Sequence, residues 1–256
     1  MGECYSYNMS NATGYVQEIF GSFQGEGPYV GERHAFVRLC CCNLKCLYCD
    51  TPASRVKQPA AYIEQAPCGN IITVSNPLSA LDVADAIKTQ ELRPNFISAV
   101  SITGGEPLEQ VEFVEGILLE LKGAYKILLE TNGTLAGPFG RVRDLVDVVS
   151  MDIKLPSVSG MGGLWDAHAG FLDLCKDKEL IVKVVVAPDT PLEEVSLAAG
   201  MVAEKTPDAV FVIQPVTSGN LPEAGGDWLL GFYSEANRFL NKVRVIPQVH
   251  KLLRVR

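Results

Sequence analysis

The chain has 256 residues, of which 47% are hydrophobic and 20% are charged, a balance typical of a globular protein with a sizeable core. Its net charge of −8 and isoelectric point near 5.0 argue against a general nucleic-acid surface or a surface for acidic membranes. The first residues do not form a basic stretch followed by an apolar one, and no apolar run approaches the roughly 20 residues of a membrane helix. We therefore expect a cytoplasmic protein with no nucleic-acid or membrane partner.

Apolar segments rich in β-branched residues alternate with amphipathic segments over most of the chain. The apolar segments predict strands at Tyr15–Phe20, Phe36–Cys41, Ala99–Ile102, Lys126–Glu130, Val146–Ile153, Ile181–Val186, Ala209–Ile213 and Val243–Val249. The amphipathic segments predict helices at Leu78–Thr89, Pro107–Lys122, Gly140–Leu145, Leu164–Cys175, Pro191–Lys205 and Trp228–Asn241. Continuous apolar strands that alternate with helices indicate a mostly parallel sheet covered on both faces. We expect one α/β domain over residues 1–256, with the sheet open or curled into a partial (β/α) barrel.

Cysteine is concentrated in the segment RLCCCNLKCLYCDT (38–51), which holds five of the eight cysteines of the chain. Cys42, Cys46 and Cys49 have the spacing C-x3-C-x2-C and follow a predicted strand, at the edge where open α/β sheets bind ligands. Because cytosolic thiols stay reduced, three such thiolates indicate a site for zinc, copper(I) or an iron–sulfur cluster.

These metal sites differ in the number of protein ligands that they require. Structural zinc takes four, and the chain has no second C-x2-C or histidine pair, so a zinc site would need Cys40 or Cys41. A [4Fe–4S] cluster held by three cysteines keeps one iron open, which suits an enzyme better than an electron carrier. We interpret Cys40 and Cys41 as small packed thiols that finish the strand leading into the loop.

Three further motifs place polar groups where predicted strands end, namely SITGGEP (101–107), LLETNGT (128–134) and SMDIKLP (150–156). Each motif alone is typical of a turn or a helix cap. Together they bring carboxylate, hydroxyl, amide and ammonium groups to one edge, and the paired glycines let backbone carbonyls approach a ligand closely. Such an edge suits a ligand that contains a ribose and an amino acid.

The cysteine motif with Tyr48 before its last cysteine, together with the later GGE, resembles the signature of the radical S-adenosylmethionine (SAM) superfamily. The resemblance implies a single-domain partial (β/α) barrel with a [4Fe–4S] cluster, in which three irons bind cysteines and the fourth chelates SAM. It also implies that the reduced cluster cleaves SAM to methionine and a 5′-deoxyadenosyl radical. The electron donor in such systems is a flavodoxin or ferredoxin.

A longer combination of motifs resembles one family of that superfamily. EIFGSFQGEGPYVGERHAFVRL (18–39), the cysteine loop and QVHKLL (248–253) are together similar to the 7-carboxy-7-deazaguanine synthases of queuosine and deazapurine biosynthesis. This resemblance implies a carbon–nitrogen lyase that converts 6-carboxy-5,6,7,8-tetrahydropterin to 7-carboxy-7-deazaguanine by radical ring contraction, with release of ammonia. It further implies that SAM is used catalytically, that Mg²⁺ assists, and that the enzyme is a homodimer.

The resemblance assigns roles position by position. The cluster ligands are Cys42, Cys46 and Cys49, and the Thr51 hydroxyl binds Mg²⁺. The cofactor-binding positions are Tyr48, Asp50, Gly105, Glu130, Asp152, Lys154 and Gln214. The substrate-binding positions are Phe23, Gln24, Gly25, Glu26, Arg38, Thr103 and His250. Arg38 is expected to pair with the substrate carboxylate, for which a rigid guanidinium fork is well suited.

Two parts of the chain depart from the family pattern. SMDIKLP (150–156) differs from the serine-proline-lysine form of some relatives, which leaves the role of Asp152 open. Residues 51–77 have weak periodicity, and we interpret them as a family-variable insertion.

Two other functions compete with the deazaguanine synthase assignment. A glycyl-radical enzyme activating enzyme would share the cysteine loop but act on a protein, whereas QGEG, Arg38 and QVHK favour a small carboxylated substrate. A non-catalytic zinc or iron–sulfur module is the other alternative.

Overall fold

The structure is a computed structural model that describes residues 11–66, 69–90, 96–219, 221–222 and 226–256. Its strands are β1 (Thr13–Gly14), β2 (Val16–Phe23), β3 (Arg33–Leu39), β4 (Ala60–Glu64), β5 (Ile71–Ser75), β6 (Leu78–Ser79), β7 (Ala99–Gly104), β8 (Ile127–Thr131), β9 (Val148–Ile153), β10 (Glu179–Val186), β11 (Val210–Pro215), β12 (Thr217–Ser218), β13 (Leu221–Pro222) and β14 (Val243–Val245). Its α-helices are α1 (Ala80–Gln90), α2 (Val111–Leu121), α3 (Ala136–Val142), α4 (Pro156–Ser159), α5 (Trp165–Asp173), α6 (Leu192–Lys205), α7 (Gly226–Ala236) and α8 (Val249–Leu253).

Ten of these strands form one sheet, in the order β14-β11-β10-β9-β8-β7-β3-β2-β4-β5. From β3 to β14 every neighbouring pair is parallel. Only β2 beside β3 and β5 beside β4 run antiparallel within this sheet of the described chain. The prediction of an α/β fold with a mostly parallel sheet is therefore confirmed.

The main hydrophobic core lies between the sheet and the helices that cover its outer face. Helix α2 illustrates why the sequence folds this way, because its apolar residues recur three or four positions apart and fall on one buried side. That side consists of Phe113, Val114, Ile117, Leu118 and Leu121. None of the described helices has both the length and the apolar character needed to cross a membrane.

A second, smaller apolar cluster lies on the opposite, inner face of the sheet. Its members come one from each of four adjacent strands, β8 to β11, and are Leu128, Val148, Ile181 and Val212. Since side chains alternate between the two faces of a strand, the residues two and four positions later point to this same inner face. The inner face is thus apolar near the beginning of these strands. Near their carboxyl ends, the polarity of this face depends on which residue occupies each inward-facing position.

The structure corrects several predicted elements. The segment 51–77 contains β4 and β5, which extend the sheet beyond β2; Pro67 and Cys68 lie outside the described residues. The hydrophobic pattern of the sequence did not predict these strands, because β5 is an edge strand whose side chains are largely exposed. Helix α3 begins at Ala136, four residues before the predicted start, and β14 ends at Val245, after which Val249 opens α8.

Candidate active site

A cavity of about 600 Å³ opens at the carboxyl ends of the parallel strands, the edge where α/β sheets bind ligands. Every residue that the sequence assigned to the site lines this cavity. They are the cysteines Cys42, Cys46 and Cys49, with Thr51; the cofactor positions Tyr48, Asp50, Gly105, Glu130, Asp152, Lys154 and Gln214; and the substrate positions Phe23, Gln24, Gly25, Glu26, Arg38, Thr103 and His250. The fold brings three distant parts of the chain to one place, although the role of each residue stays a prediction.

Strand alternation explains why the inner face supplies these groups. Starting from the apolar inner cluster, steps of two residues along β8, β9, β10 and β11 reach side chains that line the cavity, namely Glu130, Asp152, Lys183 and Gln214. Register then sets which of them are neighbours, so that Arg38 lies beside Thr103 and Asp152 beside Lys183. The cavity wall is therefore a direct consequence of an apolar-to-polar change along each strand.

The cysteine loop begins after a break in strand β3. The strand ends at Leu39, and Cys41 has a φ of 71°, so the expectation that Cys40 and Cys41 finish the strand is wrong. Cys40 is fully buried and Cys41 is half-buried, and neither lines the cavity, whereas Cys42 does. The left-handed backbone at Cys41 turns the chain and directs the three predicted ligands into the cavity.

The two glycines of the GGE motif allow the cysteine loop to pack directly on β7. A Cβ atom at Gly105 would lie 2.0 Å from the Cys41 carbonyl oxygen and 2.6 Å from that of Ser54. The Gly105 amide donates to the Leu39 carbonyl at 3.0 Å, and the Glu106 amide donates to the Cys41 carbonyl at 2.7 Å. No larger residue fits at Gly105 without moving the loop that carries the cysteines.

The Glu106 side chain of the same motif is turned away from the cavity. It is fully buried and accepts hydrogen bonds from Thr131 Oγ1 at 2.8 Å, from the Asn132 amide at 2.7 Å and from the Leu108 amide at 3.1 Å. Burial raises the pKa of Glu106 to about 7, even though these donors lower it. Glu106 therefore joins the ends of β7 and β8, and the backbone of the motif is the part that borders the cavity.

Replacing Gly105 with alanine is expected to destabilise the protein and reduce its iron content. The added methyl group would force backbone atoms of the cysteine loop to move, which costs about 2 kcal/mol or more. Gly170→Ala is the matched control, because no atom lies within 4 Å of a Cβ at this exposed position of α5. Thermal unfolding and iron per chain measure the effect. Wild-type values for Gly105→Ala would show that the close approach is unimportant.

The three cysteines line one cavity, where they could hold an iron–sulfur cluster. Among the residues that the structure describes, no three His, Cys, Asp or Glu side chains are arranged to hold one metal ion. A cubane cluster needs a wider arrangement, because each thiolate binds a different iron. Burial raises the pKa of both Cys42 and Cys46, so the positive charge of bound iron is what would hold these sulfurs as thiolates.

Several polar side-chain atoms of cavity residues have no hydrogen-bond partner among the described residues, which is consistent with binding of a polar cofactor. Tyr48 Oη, Asp152 Oδ1 and Gln214 Oε1 are buried and have no hydrogen-bond partner among the described residues. Lys154 Nζ donates to the other Asp152 oxygen at 2.8 Å and lies 5.2 Å from the centre of the Tyr48 ring. Unpaired buried polar atoms are costly, so their convergence indicates a ligand with hydroxyl, amino or carboxylate groups, such as SAM.

The QGEG motif and the C-terminal QVHK motif form one wall of the cavity. The Val249 amide donates to the Gly25 carbonyl at 2.8 Å, and a Cβ at Gly25 would lie 2.2 Å from His250 Nδ1. Gln248 Nε2 donates to Glu26 Oε1 at 2.8 Å and to Asp50 Oδ2 at 3.1 Å. Two motifs at opposite ends of the chain are thus held together by backbone and side-chain hydrogen bonds.

Glu130 contacts residues assigned to the substrate, although the sequence placed it with the cofactor. Its carboxylate accepts hydrogen bonds from Gln24 Nε2 at 3.0 Å and from Thr103 Oγ1 at 2.8 Å. Arg38 Nε donates to Glu18 Oε1 at 2.8 Å, which restrains the guanidinium group where it lines the cavity.

Sequence reasoning missed several cavity residues, among them Lys183, Arg55 and Gln248. Lys183 lies in β10 and Arg55 donates to the Cys46 carbonyl, while Gln248 was recognised in its motif but given no role. Only Lys183 carried a usable signal, since it is the one charged residue inside the apolar run IVKVVV (181–186). A charge inside a strand that is covered on both faces needs a buried partner.

The sequence and the fold are matched by known proteins at the level of the superfamily. The sequence profile of the radical SAM superfamily matches residues 37–178, more than half of the chain. The crystal structure of QueE from Escherichia coli has a TM-score of 0.60, covering 96% of this chain and 100% of that chain at 19% identity. The partial-barrel fold is therefore confirmed, and the chain belongs to the radical SAM superfamily.

Sequence relatives narrow the assignment within that superfamily. The 7-carboxy-7-deazaguanine synthase of Geobacter sulfurreducens is 37% identical over 254 residues, covering 96% of this chain and 99% of the relative. The 7-carboxy-7-deazaguanine synthase of Methanopyrus kandleri is 35% identical over 244 residues, covering 93% and 92%. The chain belongs to the 7-carboxy-7-deazaguanine synthase family.

Proposed function

We propose that this protein catalyses the radical ring contraction of 6-carboxy-5,6,7,8-tetrahydropterin to 7-carboxy-7-deazaguanine, a carbon–nitrogen lyase reaction of queuosine and deazapurine biosynthesis that releases ammonia. The observation that carries the proposal is that the QGEG loop, Arg38 and His250 line the same cavity as the three cysteines. The names of the curated relatives agree with this reaction and do not favour a glycyl-radical enzyme activating enzyme.

The cofactors of the reaction are a [4Fe–4S] cluster and SAM. Cys42, Cys46 and Cys49 would hold the cluster, and the unpaired atoms of Tyr48 and Asp152 would bind polar groups of SAM. When bound, the two cofactors supply the hydrogen-atom abstraction that starts the rearrangement. The protein contributes orientation and the exclusion of water around the reacting carbon.

The substrate would lie between the QGEG wall and the end of β3. Arg38 binds the substrate carboxylate through its Nη edge, while Glu130, already oriented by Gln24 and Thr103, accepts from ring N–H groups. Phe23 lines the cavity with 45% of its surface exposed, which leaves a ring face for stacking on the pterin.

Mg²⁺ would bind the hydroxyl of Thr51, which also lines the cavity. The remaining ligands of the ion would be substrate oxygens and water, since Mg²⁺ accepts few protein ligands.

The wider assignment includes the domain and its partners. We propose a single catalytic domain, supported by the one sheet of ten strands and the main core that spans it. The electron donor would be a flavodoxin or ferredoxin and the assembly a homodimer, both on the basis of the family resemblance. We also propose a cytoplasmic location, where cysteines such as Cys42, Cys46 and Cys49 stay reduced.

Anaerobic reconstitution tests the proposed reaction. The cluster-loaded enzyme is incubated with reductant, SAM, Mg²⁺ and the carboxypterin. The products are then separated by chromatography and identified by mass spectrometry. We expect an ultraviolet-absorbing deazapurine and ammonia, in molar excess over the SAM consumed, and no product when SAM is omitted. An enzyme with an intact cluster that forms no deazapurine contradicts the proposal. Zinc in place of iron would indicate a non-catalytic module.

A further inference from the structure

Lys183 is a charged residue in the middle of an apolar strand. It lies in β10 with the pattern IVKVVV (181–186), points to the inner face of the sheet and lines the cavity, with only 14% of its side chain exposed. A lysine taken from water to such a place is costly unless it is paired and hydrogen-bonded. Its partners therefore indicate what it is for.

Lys183 connects the two sides of the cavity. Its ammonium donates a hydrogen bond to Glu26 Oε2, and it lies 3.6 Å from Asp152 Oδ2. The same Asp152 oxygen accepts from Lys154 Nζ at 2.8 Å. Two ammonium groups thus balance two carboxylates, and Lys183 is the cation that links Glu26 of the QGEG loop to Asp152 on the inner face.

The Glu26 carboxylate is held from several directions but remains open to the cavity. Besides Lys183, it accepts from Gln248 Nε2 at 2.8 Å and from Gln214 Nε2 at 3.4 Å, and 22% of its side chain is exposed. Burial alone would raise the pKa of Glu26, but the charge and hydrogen bond of Lys183 outweigh it and lower this pKa to about 2. The same pairing raises the pKa of Lys183 against its burial.

We propose that Lys183 is a positioning residue for the substrate: it keeps Glu26 charged and fixed, so that Glu26 accepts hydrogen bonds from N–H groups of the pterin. This inference rests on the proposed function, because the pterin carries both an anionic carboxylate and a ring edge rich in N–H donors. The cavity offers a group for each, Arg38 for the carboxylate and Glu26 for the donors. A carboxylate that is held rigidly loses little entropy when it binds such an edge.

Removing the ammonium would change what Glu26 does. Its charged neighbours would then be Asp50, which is paired with Lys251, and Asp152 beyond the position of the lost ammonium, which is paired with Lys154. His250 also lies nearby, and because burial lowers its pKa it is neutral near pH 7. With two carboxylates nearby and no cation in contact, burial would raise the pKa of Glu26 towards neutrality. A protonated Glu26 would donate where it should accept, so substrate binding should weaken at low pH and recover as the pH rises.

Substrate affinity as a function of pH tests this role. Calorimetric titration of the oxidised, cluster-loaded enzyme with SAM and the carboxypterin, without reductant, measures Kd in the absence of turnover. For Lys183→Met we expect a Kd about tenfold or more above that of wild type near pH 6. Near pH 8.5 the Kd of the variant should exceed that of wild type by only about threefold. Lys183→Arg keeps the charge and should stay within about threefold of wild type throughout. Lys205→Met, which breaks an ion pair with Asp173 outside the cavity, should bind as wild type does.

Two further variants separate this role from a merely structural one. In the Lys183→Met/Glu26→Gln double variant the ratio of its Kd to that of wild type should no longer depend on pH, because the Glu26 carboxyl group that titrates has been removed. Lys183→Gln should behave as Lys183→Met does and serves in its place if that variant fails to fold. If Lys183→Met binds the carboxypterin as tightly as wild type does, or if its Kd exceeds that of wild type by the same factor at every pH, the proposed role of Lys183 is wrong. A wild-type enzyme that neither binds nor converts the carboxypterin instead overturns the proposed function.

Discussion

Replacing Cys42 with alanine is expected to abolish the iron–sulfur cluster, whereas replacing its neighbour Cys41 should leave the cluster in place. Cys42 lines the cavity with Cys46 and Cys49, while Cys41 is turned out of it by its left-handed backbone. Because the cofactor performs the chemistry, loss of the cluster should reduce deazapurine formation by on the order of a thousandfold or more. Iron and sulfide per chain, together with the visible absorption of the reconstituted protein, measure the outcome.

The two adjacent variants control for each other, since each removes one thiol from the same loop. Iron bound by Cys42→Ala but lost from Cys41→Ala would mean that the ligand register is wrong. Loss of iron from both variants would mean that the loop is too sensitive to support the assignment, and a third variant, Cys46→Ala, would then decide whether C-x3-C-x2-C is the ligand set.

Replacing Arg38 with methionine is expected to raise the KM for the carboxypterin by about a hundredfold to a thousandfold, the cost of breaking a buried, hydrogen-bonded charge pair. The guanidinium is held by Glu18 and lies 5.7 Å from the centre of the Phe20 ring, so its position is set before the substrate binds. Without it, the Glu18 carboxylate would face the substrate carboxylate and repel it. Steady-state kinetics under saturating SAM measure the effect.

Cleavage of SAM in the absence of substrate distinguishes the role of Arg38 from a general loss of structure. This uncoupled reaction should be unchanged in Arg38→Met, because Arg38 is assigned to the substrate and not to the cofactor. Arg141→Met removes an ion pair with Glu115 on the protein surface and should leave both activities as in wild type. An unchanged KM in Arg38→Met would contradict the assignment.

The periodicity of the sequence predicted the elements that are buried on both faces and failed for those that are not. Strands such as Ile181–Val186 are apolar except for Lys183, because both of their faces are covered by other parts of the protein. Strand β5 is an exposed edge strand and β4, its inner neighbour, is only partly buried, so their sequences IITVS and AAYIE lack the continuous apolar pattern of the central strands. The same reasoning missed the end of β3, because nothing in a run of three cysteines reveals which of them leaves the extended conformation.

The candidate site was predictable where its residues belong to local motifs. The cysteine spacing, QGEG and the polar motifs that end β7, β8 and β9 are all readable within a few positions, and each contributes residues that line the cavity. The motifs did not reveal in which direction each side chain points. They did not show that the Glu106 side chain faces the protein interior or that Glu130 contacts Gln24, since both depend on neighbouring strands.

The sequence by itself determined the class of fold and the chemistry of the cofactor, because a continuous apolar strand and a spaced set of thiols are properties of short segments. Only the tertiary structure decided which charges meet. Lys183 and Glu26 are 157 positions apart, and Gln248 and Glu26 are 222 apart. Contacts of this kind depend on strand order, on register and on which face each side chain occupies, and a shift of one residue in any strand would turn its side chains to the other face.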